Sequence, residues 1–265
     1  MKAKKFEGKV VWITGASGGI GEALAVKLSS LGATLILSAR RMSELERVKL
    51  RCHAERTYLF PLDLGEENSI LTTSQAVIAQ FPSIDYLFNN GGISQRSEAI
   101  STPISVDRRI FEVNFFGNIL LSKQVLPAMI RAGSGHIIVT SSLVGKWGFY
   151  LRSAYSASKH ALHGYYESLR MEVEQQGISI TLVLPGFTAT EISKNALDHT
   201  GSSTGAMDAN QAGGLTPEFV AEKIIEGVIN KKFEISIGKK EALGLVVKRF
   251  FPSYFEKLLR KWSAR

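Results

Sequence analysis

The sequence predicts an α/β fold in which a doubly wound, mainly parallel sheet of seven strands is flanked by helices. The main observation is an alternation along the chain between short apolar runs, rich in β-branched residues, and longer amphipathic runs. Such alternation forms right-handed βαβ crossovers, which place helices on both faces of a parallel sheet. The second observation is the length, because 265 residues fit within one large α/β domain.

Seven apolar runs have the length and composition of buried strands. They lie at residues 10–14, 34–38, 58–62, 86–88, 136–141, 179–184 and 233–237. Six longer runs carry apolar residues at helical spacing. These helices are expected at residues 20–31, 42–54, 67–81, 106–132, 156–175 and 217–230. The whole pattern is Rossmann-like, and ligands of such sheets bind at the carboxyl ends of the strands.

A glycine-rich turn, TGASGGIG at residues 14–21, joins the first strand to the first helix. Glycines at such a turn let the backbone approach a pyrophosphate, and the following helix directs its N-terminal amides toward the charge. Two spacings fit the stretch, one through Gly15, Gly19 and Gly21, the other through Gly15, Gly18 and Gly21. The turn alone is compatible with a dinucleotide site and with a purely structural turn.

Polar residues after the second and third strands bear on the identity of the dinucleotide. Arg40 and Arg41 stand where an acidic residue would select the ribose 2′-hydroxyl of NAD. An arginine there suits the 2′-phosphate of NADP, although both arginines also fit a solvated helix start. Asp63 follows the third strand, where it fits either a contact to the adenine amino group or a cap on the next helix.

Tyr155 and Lys159 stand four residues apart in a stretch with helical spacing. Residues at this separation lie on one helix face, about one turn apart. A nearby cation favours the phenolate and lowers the tyrosine pKa, so we expect Tyr155 to exchange a proton with a carbonyl or alcohol oxygen. Because this spacing is common by chance, the pair needs support from other residues.

That support comes from polar residues that end two other strands and interrupt an apolar helix. Ser141 and Ser142 end the fifth strand, Asn89 ends the fourth, and Asn114 lies inside the apolar run 106–132. Asparagine is unfavourable in a helix interior unless its amide has a partner. Each residue alone fits a turn, a strand end or a satisfied core amide, but the full set in this order is difficult to obtain by chance.

Together these motifs resemble the single-domain type of short-chain dehydrogenase/reductase over residues 8–238. The resemblance implies a catalytic tetrad of Asn114, Ser142, Tyr155 and Lys159, with Ser142 preferred to Ser141 because of its spacing from the tyrosine. It also implies a cofactor site, formed by Gly15, Ser17, Gly19, Ile20, Gly21, Arg40, Asp63, Asn89, Gly91, Tyr155, Lys159, Pro185, Gly186, Thr188 and Thr190.

One position departs from the family pattern, and three runs narrow the resemblance. The family motif NNAG reads NNGG here, and the methyl group missing at Gly92 should not disturb binding. The runs SARRMSELERVK, NNGGISQRS and ASKHALHG are most similar to the dehydrogenase/reductase member 7 group. That resemblance implies carbonyl reduction on steroid- and retinoid-like substrates and an association with membranes.

The implied function is NADPH-dependent reduction of a carbonyl on an apolar, steroid-, retinoid- or lipid-like substrate, or the reverse alcohol oxidation. Hydride passes from NADPH to the carbonyl carbon and Tyr155 donates the proton. Ser142 binds the carbonyl oxygen, Lys159 holds the nicotinamide ribose, and Asn114 holds a water.

The alternatives are a non-catalytic dinucleotide-sensing module, a sugar-nucleotide epimerase of the longer family type and a membrane-associated scaffold. The full tetrad argues against the sensor, and the short stretch after Gly238 argues against the epimerase.

Two further segments are expected to serve the substrate. Residues 187–215 are polar and aperiodic and leave the carboxyl edge of the sheet, so we interpret them as a substrate lid rather than a disordered segment. The domain is expected to span residues 1–238, followed by a basic amphipathic extension at 239–265, in which Pro252 breaks the helix. One apolar face of the extension fits either an anionic membrane surface or packing on the domain or a dimer partner. It is formed by Tyr254, Phe255, Leu258, Leu259 and Trp262.

The composition argues against several other classes of function. The net charge is +8, but eight basic and two acidic residues fall in 239–265, so the basic excess belongs mostly to the extension and no nucleic-acid partner is expected. The single cysteine, Cys52, allows no intramolecular disulfide, and no metal site is expected. No secretory signal and no apolar run long enough to span a bilayer is recognised. We expect a homodimer or homotetramer that is cytoplasmic, with or without peripheral attachment to a membrane.

Overall fold

The computed structural model describes residues 5–263, and within them seven strands form one sheet. The strands are β1 Val10–Thr14, β2 Thr34–Ala39, β3 Thr57–Pro61, β4 Tyr86–Asn89, β5 Gly135–Thr140, β6 Ile178–Pro185 and β7 Glu234–Ile237. Their order is β3-β2-β1-β4-β5-β6-β7, and every neighbouring pair is parallel. The predicted sheet is confirmed, and each strand lies within one residue of its predicted bounds at either end.

Helices cover both faces of the sheet. They are α1 Gly19–Ser30, α2 Met42–Lys49, α3 Glu67–Gln80, α4 Ile104–Phe111, α5 Gly117–Ala132, α6 Ser153–Val173, α7 Ala209–Ala212, α8 Pro217–Ile229, α9 Gly244–Phe250 and α10 Pro252–Ser263. Because successive strand side chains point to opposite faces, Trp12 joins the core layer under α3, α5 and α6, whereas Val11 and Ile13 join the layer under α1, α2 and α8. This two-sided burial explains the nearly continuous apolar runs of the strands.

The predicted helix 106–132 consists of three pieces. α4 and α5 are joined by a π-helical turn at Glu112–Phe116, which contains Asn114. The wider turn accompanies a close approach to the chain after β3, because a Cβ on Gly117 would lie 2.0 Å from the carbonyl oxygen of Leu64. π turns of this kind are frequent at functional sites. The predicted helix 42–54 is also shorter and ends at Lys49, where the amides of Arg51 and Cys52 bond only three residues back.

Residues 187–215, hereafter the lid segment, run irregularly across the carboxyl edge of the sheet with only α7 as regular structure. Main-chain hydrogen bonds join the two ends of the segment and hold it near its middle. The amide of Leu215 donates to the carbonyl of Phe187, and Leu197 exchanges bonds with the loop after β4. The segment is therefore anchored over the sheet edge although its sequence has no helical or strand periodicity.

The C-terminal extension, residues 239–263 of the described chain, folds back on the domain. α9 ends at Phe250 and α10 begins at Pro252, so the helix breaks before the proline, as predicted. Phe255 is 3% exposed, and its ring lies 5.2 Å from that of Trp147. Part of the predicted apolar face therefore packs on the domain, whereas Tyr254 stays exposed; the side chain of Trp262 lies outside the described part of the structure. Among the described residues, no helix is long and apolar enough to cross a membrane.

Candidate active site

A cleft of about 1010 Å³ opens along the carboxyl ends of the strands. Its glycine end is formed by the β1–α1 turn, the end of β2 and the residues after β3. Its lid end is formed by the residues after β5, the start of α6, the lid segment and the first residues of the C-terminal extension. Most of the residues predicted for a site line this cleft, since parallel strands bring their carboxyl ends to one edge.

The glycine end distinguishes between the two predicted spacings. Gly15 and Gly19 have left-handed backbone angles (φ +64° and +55°), and a Cβ on Gly21 would lie 2.2 Å from the carbonyl oxygen of Gly15. Gly18 is extended and has open space where a Cβ would stand. The turn therefore requires glycine at positions 15, 19 and 21 and leaves a cradle that larger residues would fill. This cradle fits the close approach of a dinucleotide pyrophosphate to the backbone.

The loop after β4 is fastened to this turn through Thr14. The Thr14 hydroxyl accepts hydrogen bonds from the amides of Asn90 at 3.1 Å and Gly91 at 3.0 Å. Asn90 and Gly91 line the cleft, but the side chain of Asn89, predicted for the cofactor site, points into the interior. There its amide nitrogen donates to Ser122 Oγ at 2.7 Å. The alternation of strand side chains explains why the cleft is lined by Asn90 and not by Asn89.

Charged side chains surround the glycine end. Arg40 lines the cleft at an exposed position. Arg47, which sequence reasoning missed, donates to the main-chain oxygen of Ser17 at 3.1 Å and to Glu22 at 2.8 Å, and this contact lowers the pKa of Glu22. Asp63 also lines the cleft and accepts the amide of Gly65 at 2.9 Å. It caps a turn before α3 rather than the helix itself, whose N-terminal cap position is residue 66.

Three of the four predicted catalytic residues meet in the middle of the cleft. Ser142 follows β5, and Tyr155 and Lys159 lie in the first two turns of α6. The Lys159 ammonium lies 5.8 Å from the centre of the Tyr155 ring and donates to the carbonyl oxygen of Thr140 at 2.8 Å. Ser142 Oγ donates to the carbonyl oxygen of Pro185 at 3.3 Å and lies close enough to the Tyr155 phenol to act on its pKa.

The pKa values of Tyr155 and Lys159 differ from those that the sequence predicted. Burial raises the pKa of the Tyr155 phenol, and the charge of Arg152 and the hydroxyl of Ser142 only oppose that rise. The sequence predicted a lowered pKa, caused by Lys159. Burial instead weakens the lysine as a cation, since it lowers the pKa of Lys159 to about 8. Desolvation, which one sequence cannot show, outweighs the neighbouring charge here.

Asn114, the fourth predicted residue, is fully buried behind the cleft. Its Oδ1 accepts the amide of Ile93 at 2.8 Å, and its Nδ2 donates to the Ile93 carbonyl at 2.9 Å and to Ser158 Oγ at 3.1 Å. A Cβ on Gly92 would lie 3.0 Å from Asn114 Oδ1 and 3.4 Å from Lys159 Nζ. Asn114 thus holds the loop after β4, and glycine in the NNGG motif leaves room between asparagine and lysine. Its water-holding role stays a prediction.

The lid segment completes the cleft. Pro185, Gly186, Thr188 and Thr190 all line it, as predicted, and the Thr190 methyl group covers Gly19. The walls of the lid end are largely apolar; they include Leu143, Val144, Trp147, Phe149, Phe187, Ile192 and Leu197. Charged residues that the sequence did not reveal also line this end, among them Arg152 and Glu241. Neither belongs to a motif, and both reach the cleft through the tertiary fold.

Known proteins resemble this chain along most of its length. A model of the short chain dehydrogenase family matches residues 9–201. A Drosophila melanogaster protein named dehydrogenase/reductase SDR family protein 7-like is 41% identical, and the alignment covers 100% of this chain and 84% of that protein.

Solved structures share the fold. An alcohol dehydrogenase from the archaeon Thermococcus sibiricus, complexed with 5-hydroxy-NADP, has a TM-score of 0.75 and 25% identity over 88% of this chain and 97% of its own. A short chain dehydrogenase/reductase from Burkholderia phymatum in complex with NAD has a TM-score of 0.82 and 23% identity over 96% and 95%. The solved neighbours thus include one complex with a dinucleotide of the NADP type and one with NAD, which lacks the 2′-phosphate.

Proposed function

The chain belongs to the short-chain dehydrogenase family, whose solved members bind nicotinamide dinucleotides, and we propose that it is an NADPH-dependent reductase of apolar carbonyl compounds. The reverse alcohol oxidation uses the same site. The observation that carries the proposal is the meeting of Ser142, Tyr155 and Lys159 in one cleft, between a glycine cradle and an apolar wall. Asn114 supports this group from behind through the loop after β4.

The chemistry of the chain's own residues follows from their positions. When bound, the reduced nicotinamide supplies a hydride to the carbonyl carbon. Tyr155 gives its proton to the carbonyl oxygen, and Ser142 donates a hydrogen bond to that oxygen as negative charge develops. Because the pKa of Tyr155 is raised, its phenol is protonated at neutral pH and ready to donate. Lys159 would hold the nicotinamide ribose from beside Thr140.

The preference for NADPH rests on the charges at the glycine end. Arg40 and Arg41 line the cleft beside the end of β2, where a 2′-phosphate would lie. Glu22, in α1, and Glu44, in α2, also line the cleft here, and both accept hydrogen bonds from Arg47. A guanidinium recognises a phosphate by charge and by parallel hydrogen bonds.

The substrate class follows from the wall of the lid end. Phe149, Phe187 and Leu197 line it together with other apolar side chains, and such walls hold a ligand by burying apolar surface. We expect a carbonyl group next to an extended apolar body, as in a steroid, a retinoid or a lipid.

A panel of carbonyl compounds tests this function. We expect absorbance loss from NADPH, and much less from NADH, with apolar ketones or aldehydes, and none with Tyr155→Phe. A protein that binds NADPH but turns over no member of the panel would instead favour the dinucleotide-sensing module.

The C-terminal extension would bring the enzyme to its substrates. Its outer surface exposes apolar side chains next to basic ones, namely Leu243, Val246, Phe250, Phe251, Tyr254, Lys248, Arg249 and Lys257. Such a surface fits an anionic membrane, and the same extension lines the cleft through Glu241. Co-sedimentation with vesicles of phosphatidylserine and phosphatidylcholine tests the attachment; recovery of all protein in the supernatant would contradict it.

Self-association is proposed through the helical face outside α4, α5 and α6. Ile104, Phe116 and Met171 are exposed there. We expect a homodimer or homotetramer in light scattering after gel filtration, and a monomeric mass at micromolar concentration would contradict this part of the proposal.

A further inference from the structure

An acidic side chain of the lid segment reaches two arginines at the lid end of the cleft. Asp208 Oδ2 accepts a hydrogen bond from Arg96 Nη1 at 3.0 Å and another from Arg152 Nη2 at 3.2 Å. The side chains of Arg152 and Asp208 are only 8% and 14% exposed. Charge-assisted bonds shielded in this way are strong, and removing one partner leaves a buried charge uncompensated.

Arg152 connects this ion pair to the start of α6. Its Nη1 donates to Ser94 Oγ at 2.6 Å and to the main-chain oxygen of Gln95 at 3.1 Å. The Oε1 of the buried Gln95 in turn accepts the amides of Ala154 at 2.9 Å and Tyr155 at 3.4 Å. The loop that holds Arg152 therefore also holds the first turn of α6, which carries the phenol.

We propose that Arg152 is a positioning residue for Tyr155 and that Asp208, as its partner on the lid segment, couples the placement of that segment to the proton on the phenol. This inference rests on the proposed role of Tyr155 in proton transfer. While the lid segment lies in place, the carboxylate offsets the charge of Arg152. When the segment moves away, Arg152 is left uncompensated beside the phenol and favours loss of its proton.

Other charges near the phenol must be distinguished from this pair. Arg152, Lys159, Glu191 and Glu241 line the cleft, and Asp208 and Arg96 are linked to Arg152 through the shared ion pair. Arg152 is the residue among them whose charge opposes the raised pKa of Tyr155. Arg96 shares the carboxylate of Asp208 but is not among the groups that shift the pKa of Tyr155, which makes it a matched control for loss of an arginine.

The test follows the Tyr155 phenol directly, by nuclear magnetic resonance of protein labelled with ¹³Cζ-tyrosine and with Tyr155→Phe for assignment. We expect Arg152→Met to raise the pKa of Tyr155 by about one unit or more. Arg152→Lys keeps the charge and should restore most of the wild-type value. Asp208→Asn, which removes the offsetting charge, should shift the pKa in the opposite direction, and Arg96→Met should leave it unchanged.

Equal shifts in Arg152→Met and Arg96→Met, or a shift of the same sign in Asp208→Asn and Arg152→Met, would overturn the inference. Turnover separates its failure from that of the proposed function. If wild-type protein reduces carbonyls but Arg152→Met leaves the phenol unchanged, the coupling is wrong and the function stands. If the phenol shifts as expected but no carbonyl is reduced, the coupling stands and the function is wrong.

Discussion

The two ends of the cleft are built in different ways. The glycine end is built around residues 14–21, which are neighbours in the chain, and their contacts are short: a Cβ on Gly21 would lie 2.2 Å from the carbonyl oxygen of Gly15. The lid end collects side chains from the loop after β4, from α6, from the lid segment and from the C-terminal extension. The glycine end therefore follows from local backbone requirements, whereas the lid end depends on tertiary placement and can vary its substrate without disturbing the cofactor.

Lys159 stands where the two ends meet. Replacing it should change the pH dependence of the free energy of unfolding, and this is the largest stability effect that we expect. Its pKa is lowered to about 8 in the folded chain, so between pH 8 and its usual 10.5 the unfolded chain binds more protons and the wild type gains stability as pH rises. Lys159→Met lacks this dependence. The stability difference between variant and wild type should change by about 3 kcal/mol across that range, since one pKa unit is about 1.4 kcal/mol.

Urea unfolding without dinucleotide at pH 7.5, 9 and 10.5 measures this difference. Lys123→Met removes an exposed lysine of α5 and should show a difference that stays constant with pH. A constant difference for Lys159→Met as well would mean that burial does not lower the pKa of Lys159.

Gly21→Ala tests whether local contacts determine the glycine end. The added methyl group would press on the Gly15 carbonyl and on Asn90, and overpacking of this kind costs about 1–3 kcal/mol, or about 5- to 150-fold in NADPH affinity. Gly18→Ala adds the same methyl group in open space and should change affinity less than about twofold. Fluorescence titration with NADPH compares the two, and equal losses would contradict the requirement for glycine at positions 15, 19 and 21.

Arg40→Ala tests the choice of dinucleotide at the same end. Loss of a guanidinium contact to the 2′-phosphate should weaken NADPH binding by about tenfold and leave NADH binding unchanged. Arg41→Ala should have the smaller effect, because Arg41 stands at the start of α2. A parallel loss of NADPH and NADH affinity in Arg40→Ala would mean that Arg40 does not bind the 2′-phosphate.

Lys257→Gln tests whether the C-terminal extension docks on an anionic membrane surface, and its expected effect is the smallest. One basic residue near an anionic surface contributes about 1 kcal/mol, so vesicle partitioning should fall about fivefold. Lys27→Gln removes one charge from α1, on the opposite face of the sheet from the extension, and should leave partitioning unchanged. Equal reductions in the two variants would indicate attraction by net charge without a docking surface.

The sequence was sufficient for the sheet, the flanking helices, the glycine turn and most cleft residues, because these follow from local periodicity and from motif spacing. It placed Asn89 in the cleft, but the side chain that lies there is that of Asn90. Successive residues of a strand point in opposite directions, so an error of one residue names the wrong side chain. The sequence could not reveal the π turn around Asn114, which accompanies the close tertiary approach of Gly117 to Leu64. Arg152 and Asp208 also escaped detection, because 56 residues separate the two partners.

Tyr155→Phe, measured for NADPH binding and for turnover on the same preparation, tests whether the Tyr155 phenol donates the proton. The change removes only the hydroxyl that would donate the proton, so kcat should fall by about 10²- to 10⁴-fold. The dissociation constant of NADPH should stay within a few-fold of the wild-type value, because the glycine end is untouched. Turnover that survives the substitution with intact NADPH binding would remove Tyr155 from proton transfer and contradict the proposed mechanism.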